Sequence, residues 1–207
     1  MTAFTDMIAQ IADDTAKTYA LDLSKQFDAR AEYERAKNSD NDTIQAKLKS
    51  AAARLSSVSA AKVLIAANVS ETFVNRAERN NARYNVYAID KLSNIVDVLV
   101  NARTINAISN ACIRSMITLE EAKIDFSHKL ALASASDKIT VDNAQARKRL
   151  TRHNVSASTA STQASSTMNA LVTLHIVEEY TNDARETCYR FADSDVARSV
   201  RALYTAS

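Results

Sequence analysis

Apolar residues recur along this chain at intervals of three and four. The longest series lies in residues 42–79. There Ile44, Leu48, Ala51, Leu55, Val58, Ile65, Val69 and Phe73 form one stripe, with Lys62 the polar intruder. That spacing predicts one face of a long helix. At about 1.5 Å per residue such a rod reaches roughly 50 Å. It cannot bury its stripe alone, so the rest of the chain is expected to supply more rods.

Residues 2–37 fit a first rod, with Phe4, Ile8, Ile11, Thr15, Tyr19, Leu23 and Phe27 on its stripe. Asp13, Asp14, Lys17, Asp22, Lys25, Arg30 and Glu34 fall mostly off it and are expected in solvent. The polar run 38–42 is a turn, because Asn and Asp tolerate the left-handed backbone. Asp42 is the expected cap of the next helix, with Gln45 completing a capping box. Asn80 and Asn81 mark a turn or a change of direction.

A third rod is expected over residues 82–134. Its stripe runs from Tyr84 through Ile89, Leu92, Ile95, Leu99 and Ile105 to Cys112, Met116, Leu119 and Leu130, continuous across the polar interlude 101–104. Ser134 to Asp137 read as a turn. A fourth segment carries Ile139, Val141, Ala144 and Leu150. Residues 156–166 are Ser, Ala and Thr with one Gln. They fit either a flexible linker or a small-residue helix; the lack of Gly and Pro favours the helix. The stripe resumes with Met168, Leu171, Val172, Leu174, Ile176, Val177 and Tyr180 and runs to Cys188 and Phe191. Asp193, Ser194 and Asp195 cap a final helix with Val196, Val200 and Leu203.

Composition sharpens this pattern. The 207 residues include no Gly and no Pro, where ordinary usage gives roughly fourteen and ten. Gly supplies positive φ, and Pro ends helices. Their absence predicts few tight turns and disfavours hairpins built on Asn-Gly. The expected fold is therefore all-α: a single elongated domain over 1–207, an antiparallel bundle of four or five long helices with no β-sheet. No internal repeat stands out.

The same absence excludes chemistry. Walker A loops, dinucleotide-binding GxGxxG turns, nucleophile elbows and kinase loops all require Gly. The EF-hand loop lacks its central Gly as well. No cofactor is expected. Twenty-six basic and 24 acidic residues leave a net charge of +2, so the chain as a whole is no polycation. Ala-rich faces bury little area, which suggests modest stability and a gain from partner contacts. Cys112 and Cys188 read as buried free thiols. The first residues lack the pattern of a secretory signal. That places the chain in the cytoplasm or a virion, and the sequons at Asn41, Asn68 and Asn154 read as chance. No apolar run is long enough to span a membrane.

Four constellations remain. Asp125-x-x-His128 with Glu121, and His175 ahead of Glu178 and Glu179, are an imperfect echo of a di-metal helical site; the plainer reading is ordinary polar positions. Arg147, Lys148, Arg149 and Arg152, next to His153, form the densest basic cluster. It suits phosphate contact, although no aromatic is interleaved for stacking, and the plainer reading is a solvated face or intersubunit ion pairs. Arg76, Arg79 and Arg83 form a second basic line. Finally, Leu92, Ile95, Val96, Leu99 and Val100 make a face broad enough for burial on two sides, inside the bundle or against another subunit.

With no catalytic pattern, the expectation is a non-enzymatic structural protein. It would self-associate, or join other proteins of one assembly, as a virion or filament component. The alternative is a nucleic-acid-binding or protein adaptor using residues 147–152. A helical-bundle metalloprotein is a minor third.

Overall fold

The computed structural model describes residues 3–78 and 82–205. The first helices are α1 (Ala3–Gln10), α2 (Asp13–Lys37), α3 (Asp42–Leu55) and α4 (Val58–Ala66). A 3₁₀ turn (Glu71–Asn75), α5 (Val86–Asn101) and α6 (Ala107–Glu121) follow. Then come β1 (Phe126–Ser127), α7 (His128–Ala135), α8 (Ala144–Arg149), α9 (Ala157–Thr173), β2 (Val177–Thr181), β3 (Thr187–Phe191) and α10 (Asp195–Thr205). The chain divides into two compact units, Met1–Thr104 and Ile105–Ser207. The expected turn at Asn80 and Asn81 lies outside the described residues.

Two parts of the expected fold are corrected. The long rods are broken, and a sheet is present. Residues 2–37 divide between α1 and α2 at Ile11 and Ala12. Residues 42–79 become α3, α4 and the 3₁₀ turn, because Ser57 starts a new helix by accepting the Ala60 N–H at 3.1 Å. Residues 82–134 break at Ala102, in the left-handed region at φ 51°, and at Lys123. The described residues therefore contain ten helices rather than four or five long ones.

The breaks show how a chain without Gly stops a helix. Asn68, Lys123 and His175 follow α4, α6 and α9 with φ of 54°, 55° and 52°. After each, the next N–H returns to a Leu carbonyl: Val69 to Leu64, Ile124 to Leu119 and Ile176 to Leu171, all at 2.9 Å. The left-handed residue itself donates to Ile65, Glu120 or Val172. This is the Schellman arrangement, with an apolar residue on both sides of the reversal. A left-handed non-Gly residue costs about 1–2 kcal/mol. Two carbonyl bonds and apolar burial offset it.

The sheet lies in residues 105–207, with strand order β1-β3-β2, all antiparallel. Val177 pairs with Phe191, Tyr180 with Cys188, and Phe126 with Tyr189. The hairpin loop uses Arg185 at φ 61°, the N–H of which donates to the Asn182 carbonyl at 2.9 Å. The Asn182 side chain accepts the Glu186 N–H, also at 2.9 Å. Here Arg and Asn fill the place that Gly takes in common hairpins.

Within residues 1–104, α2 buries Ala16, Ala20, Leu23, Phe27 and Arg30, and α3 packs on α5. Arg30 is only 2% exposed, against the expectation that it is solvated. Its guanidinium donates to Glu34 at 2.8 Å, to the Tyr84 carbonyl at 2.6 Å, and to the Val74 carbonyl. Asn41 rather than Asp42 caps α3, accepting the Ile44 N–H at 3.1 Å. Gln45 instead donates to the Ala31 carbonyl on α2.

Candidate functional site

In residues 105–207, α7 packs against α9, and α6 packs on both. Asn106 caps α6. The inner faces are small and partly hydroxylic: Ser115 Oγ accepts the Thr151 N–H at 3.0 Å, and Ser134 Oγ stands 2.9 Å from Ser115 Oγ. The first bond holds the return of the chain towards α9 against α6, and the second ties α7 to α6.

The connection between α7 and α9 is a closed loop that carries α8. Its neck is an antiparallel bridge between Ser136 and Asn154. The Asp137 N–H donates to the His153 carbonyl and the His153 N–H to the Ser134 carbonyl, both at 2.8 Å. Arg152 closes the neck. It donates to the Ala133 and Ser136 carbonyls at 3.1 Å each, and to the Ile139 carbonyl. Of the basic cluster, Arg152 is thus engaged by backbone. Arg147, Lys148 and Arg149 are exposed on α8, a helix capped by Asn143, which accepts the Gln145 N–H at 2.9 Å.

Residues 156–166 are ordered: Ser156 caps α9 by accepting the Thr159 N–H, and Ala160 and Ala164 are buried. Ser158, Thr159, Ser161 and Thr162 are exposed, and Gln163, Ser165 and Asn169 are half-buried. The row Ser158, Thr162, Ser165 and Asn169 has the four-three-four spacing of one helix face. No residue of α9 is charged.

Around the sheet, polar groups pair with one another. Asp125 accepts the Tyr180 hydroxyl at 2.7 Å and the Asn182 amide at 3.3 Å. Glu178 holds Arg190, which lies over the Tyr180 ring. His128 Nδ1 stands 3.3 Å from the Tyr189 hydroxyl. Burial, then the Asp125 carboxylate, push the Tyr180 hydroxyl well above its usual range. Burial and Glu179 raise that of Tyr189 to about 12. Burial, Asp125 and Glu186 push the Cys188 thiol up. Both cysteines are buried, and neither forms a disulfide. A cleft of about 260 Å³ opens between Met116, Phe126, Tyr180 and Arg190.

The metal constellation does not converge. Asp125 and His128 face different partners, and His175 occupies the left-handed reversal after α9. Among the described residues, no group of three or more His, Cys, Asp or Glu is placed to hold a metal ion.

The other two constellations lie in residues 1–104. Leu92, Ile95 and Val96 are buried within that unit, and Leu99 and Val100 are half-buried. The breadth of this face is used internally, largely against α3 and α4. In the second basic line, Arg79 lies outside the described residues. Arg76 stacks over Tyr84 and pairs with Glu78. Arg83 stacks over Tyr33 at 3.7 Å and donates to Asn75 at 2.8 Å.

Two features of residues 105–207 go beyond the sequence reading, the outward face of α9 and the backbone role of Arg152. The outward face of α9 has a signal: Ala160 and Ala164, four apart, mark the buried side. Arg152 has none, because it follows α8 in a segment outside any helix. Among known proteins, no family model matches this chain, and no curated protein or solved structure matches it.

Proposed function

We propose that this chain is a non-enzymatic binding protein that docks on duplex DNA through residues 105–207. Two packed helices, α7 and α9, stand on a third, α6, and are followed by a β-hairpin. In a helix-turn-helix the later helix of such a pair enters the major groove; here the connection is longer than that motif's short turn, spanning 136–156 and carrying α8. The layout alone is an analogy. The observation that carries the reading is an exposed, uncharged hydrogen-bonding face on α9, reached by a connection that holds Arg147, Lys148 and Arg149 in solvent. Ser, Thr, Gln and Asn reach base edges, while exposed cations meet phosphates. The major groove of B-DNA admits a helix, whereas that of A-form RNA is too deep and narrow.

The test is fluorescence anisotropy of a labelled duplex with the full chain, over salt from about 50 to 200 mM. Log affinity falls linearly with log salt. The triple variant Arg147→Ala, Lys148→Ala, Arg149→Ala lowers the slope by about 0.9 for each phosphate that it no longer neutralises. Absence of binding at the lowest salt, or an unchanged slope in the variant, defeats the proposal.

A second reading is self-association into an oligomer or particle. The Leu92 face, used inside its own unit, gives it no support. Leu21, 59% exposed on α2, and Leu203, 55% exposed on α10, are among the large apolar side chains that such a contact would cover. Light scattering at high concentration tests it; a strict monomer retires it.

A further inference from the structure

The register of the hairpin fixes which backbone groups of β2 have no strand beside them. The Asn182 N–H donates to the Glu186 carbonyl at 3.1 Å, and the Ala192 N–H to the Ile176 carbonyl at 3.0 Å. Hydrogen-bonded pairs alternate along an antiparallel ladder. In this register Glu178 and Tyr180 exchange bonds with Arg190 and Cys188, so Val177, Glu179 and Thr181 turn their N–H and C=O groups away from β3. β2 is an outer strand of the sheet. Val177 is buried, whereas Glu179 and Thr181 are exposed. Among the described residues nothing bonds to the outward backbone groups of these two. They are a short open edge of the kind that templates a further strand.

Charge selects which strand fits. Residues 177–187 carry Glu178, Glu179, Asp183 and Glu186 against Arg185 alone, in a chain of net charge +2. Glu178 is taken by Arg190, and Lys129 by Asp142. Glu179 and Glu186 line one open depression of about 450 Å³ with His128, Lys129 and Tyr189. Neither carboxylate has an ion pair among the described residues. Glu179 stands across the ladder from Tyr189, so both side chains lie on the sheet face of that depression. A second copy of β2 brings its own Glu178 and Glu179 to this edge, where like charges on opposed strands repel. A basic strand meets attraction instead.

We infer that the β2 edge is a docking site for an extended peptide of another protein, with Lys or Arg at alternate positions, which adds a fourth strand to the sheet. Its cations stand opposite Glu179 and Thr181 in hydrogen-bonded pairs, with about 5.5 Å between Cα atoms, on the face that holds Glu179 and Glu186. Main-chain bonds supply affinity, and the two carboxylates select the side chains. The site uses none of the residues assigned to DNA.

The experiment is an anisotropy titration of the full chain, with no DNA present, against a labelled peptide of about eight residues in which Lys and Thr alternate. Two versions carry backbone N-methyl groups, one on the Lys amides and one on the Thr amides. In the docked register the Lys amides point at β2 and the Thr amides point away. The parent and the Thr-methylated peptide bind saturably, and the Lys-methylated peptide binds on the order of ten-fold more weakly or worse. Glu179→Lys weakens the parent peptide on the order of ten-fold. Thr181→Pro, which removes an outward N–H and spares the bonds to β3, does the same. The comparison of methylated peptides uses the unaltered chain, so it stands even if a variant misfolds. Equal affinity of the two methylated peptides, equal binding of a peptide with Glu in place of Lys, or no binding at millimolar peptide overturns the inference. Self-association that Thr181→Pro abolishes gives the edge to a second copy and overturns it as well.

Discussion

Arg30 and Arg152 perform one task in two surroundings. In residues 1–104, Arg30 is buried and brings a carboxylate, Glu34, with it while it satisfies the carbonyls of Val74 and Tyr84. In residues 105–207, Arg152 is half-buried and holds three backbone carbonyls, those of Ala133, Ser136 and Ile139. Both reach carbonyls at places where the backbone leaves regular structure and needs donors, Arg30 from within α2 and Arg152 from the segment after α8. A guanidinium carries five donors in a fixed fork, so one side chain fastens a whole irregular segment. The difference lies in solvent. A fully buried cation needs its counter-ion, whereas a partly hydrated one does not.

Variants on each side put a size on that difference. Arg30→Met leaves Glu34 and two carbonyls without their partner in the core. The expected loss is about 3–5 kcal/mol, read by urea unfolding, with amide protection falling first within residues 3–104. Arg152→Met removes bonds that water partly replaces. Its expected cost is smaller, about 2 kcal/mol, with protection falling around 133–154. If the two losses are equal, or the order is reversed, burial is not what separates them. Ser156→Ala removes the cap of α9 and Asn41→Ala that of α3. Each costs about 1 kcal/mol, and similar values from the two units show that capping, unlike the arginine contacts, is indifferent to surroundings. The smallest effect has the opposite sign. Lys123→Gly relieves a left-handed backbone and stabilises by about 0.5–1 kcal/mol. Destabilisation of that size, as Gly causes inside a helix, contradicts the reversal described after α6.

Much of the helical content is legible in the sequence, and the reasons for the rest are specific. The α2 stripe is visible at Leu23 and Phe27. The same spacing continues to Arg30, so its burial is written in position and hidden by its charge. The helix ends after α4, α6 and α9 are hard to read because Gly, the usual stop signal, is missing. The sequences Leu-Ile-Ala-Ala-Asn-Val, Leu-Glu-Glu-Ala-Lys-Ile and Leu-Val-Thr-Leu-His-Ile share Leu in first place, a left-handed residue in the fifth and a β-branched residue in the sixth. That hexapeptide pattern is the stop. The hairpin is hidden for a related reason: Val177, Tyr180, Cys188 and Phe191 also fit a three-four spacing, and no Asn-Gly announces the turn. Of the candidate site, Arg147, Lys148 and Arg149 are exposed as a charged run suggests. Arg152 belongs to the architecture instead.

Amide hydrogen exchange of the full chain, with and without a duplex, tests most directly whether residues 105–207, and not residues 1–104, meet DNA. The expected result is new protection over α8 and the N-terminal half of α9, with α2, α3 and α5 unchanged. Protection centred on α2, α3 or α5, or no change anywhere at a saturating duplex concentration, contradicts the proposal.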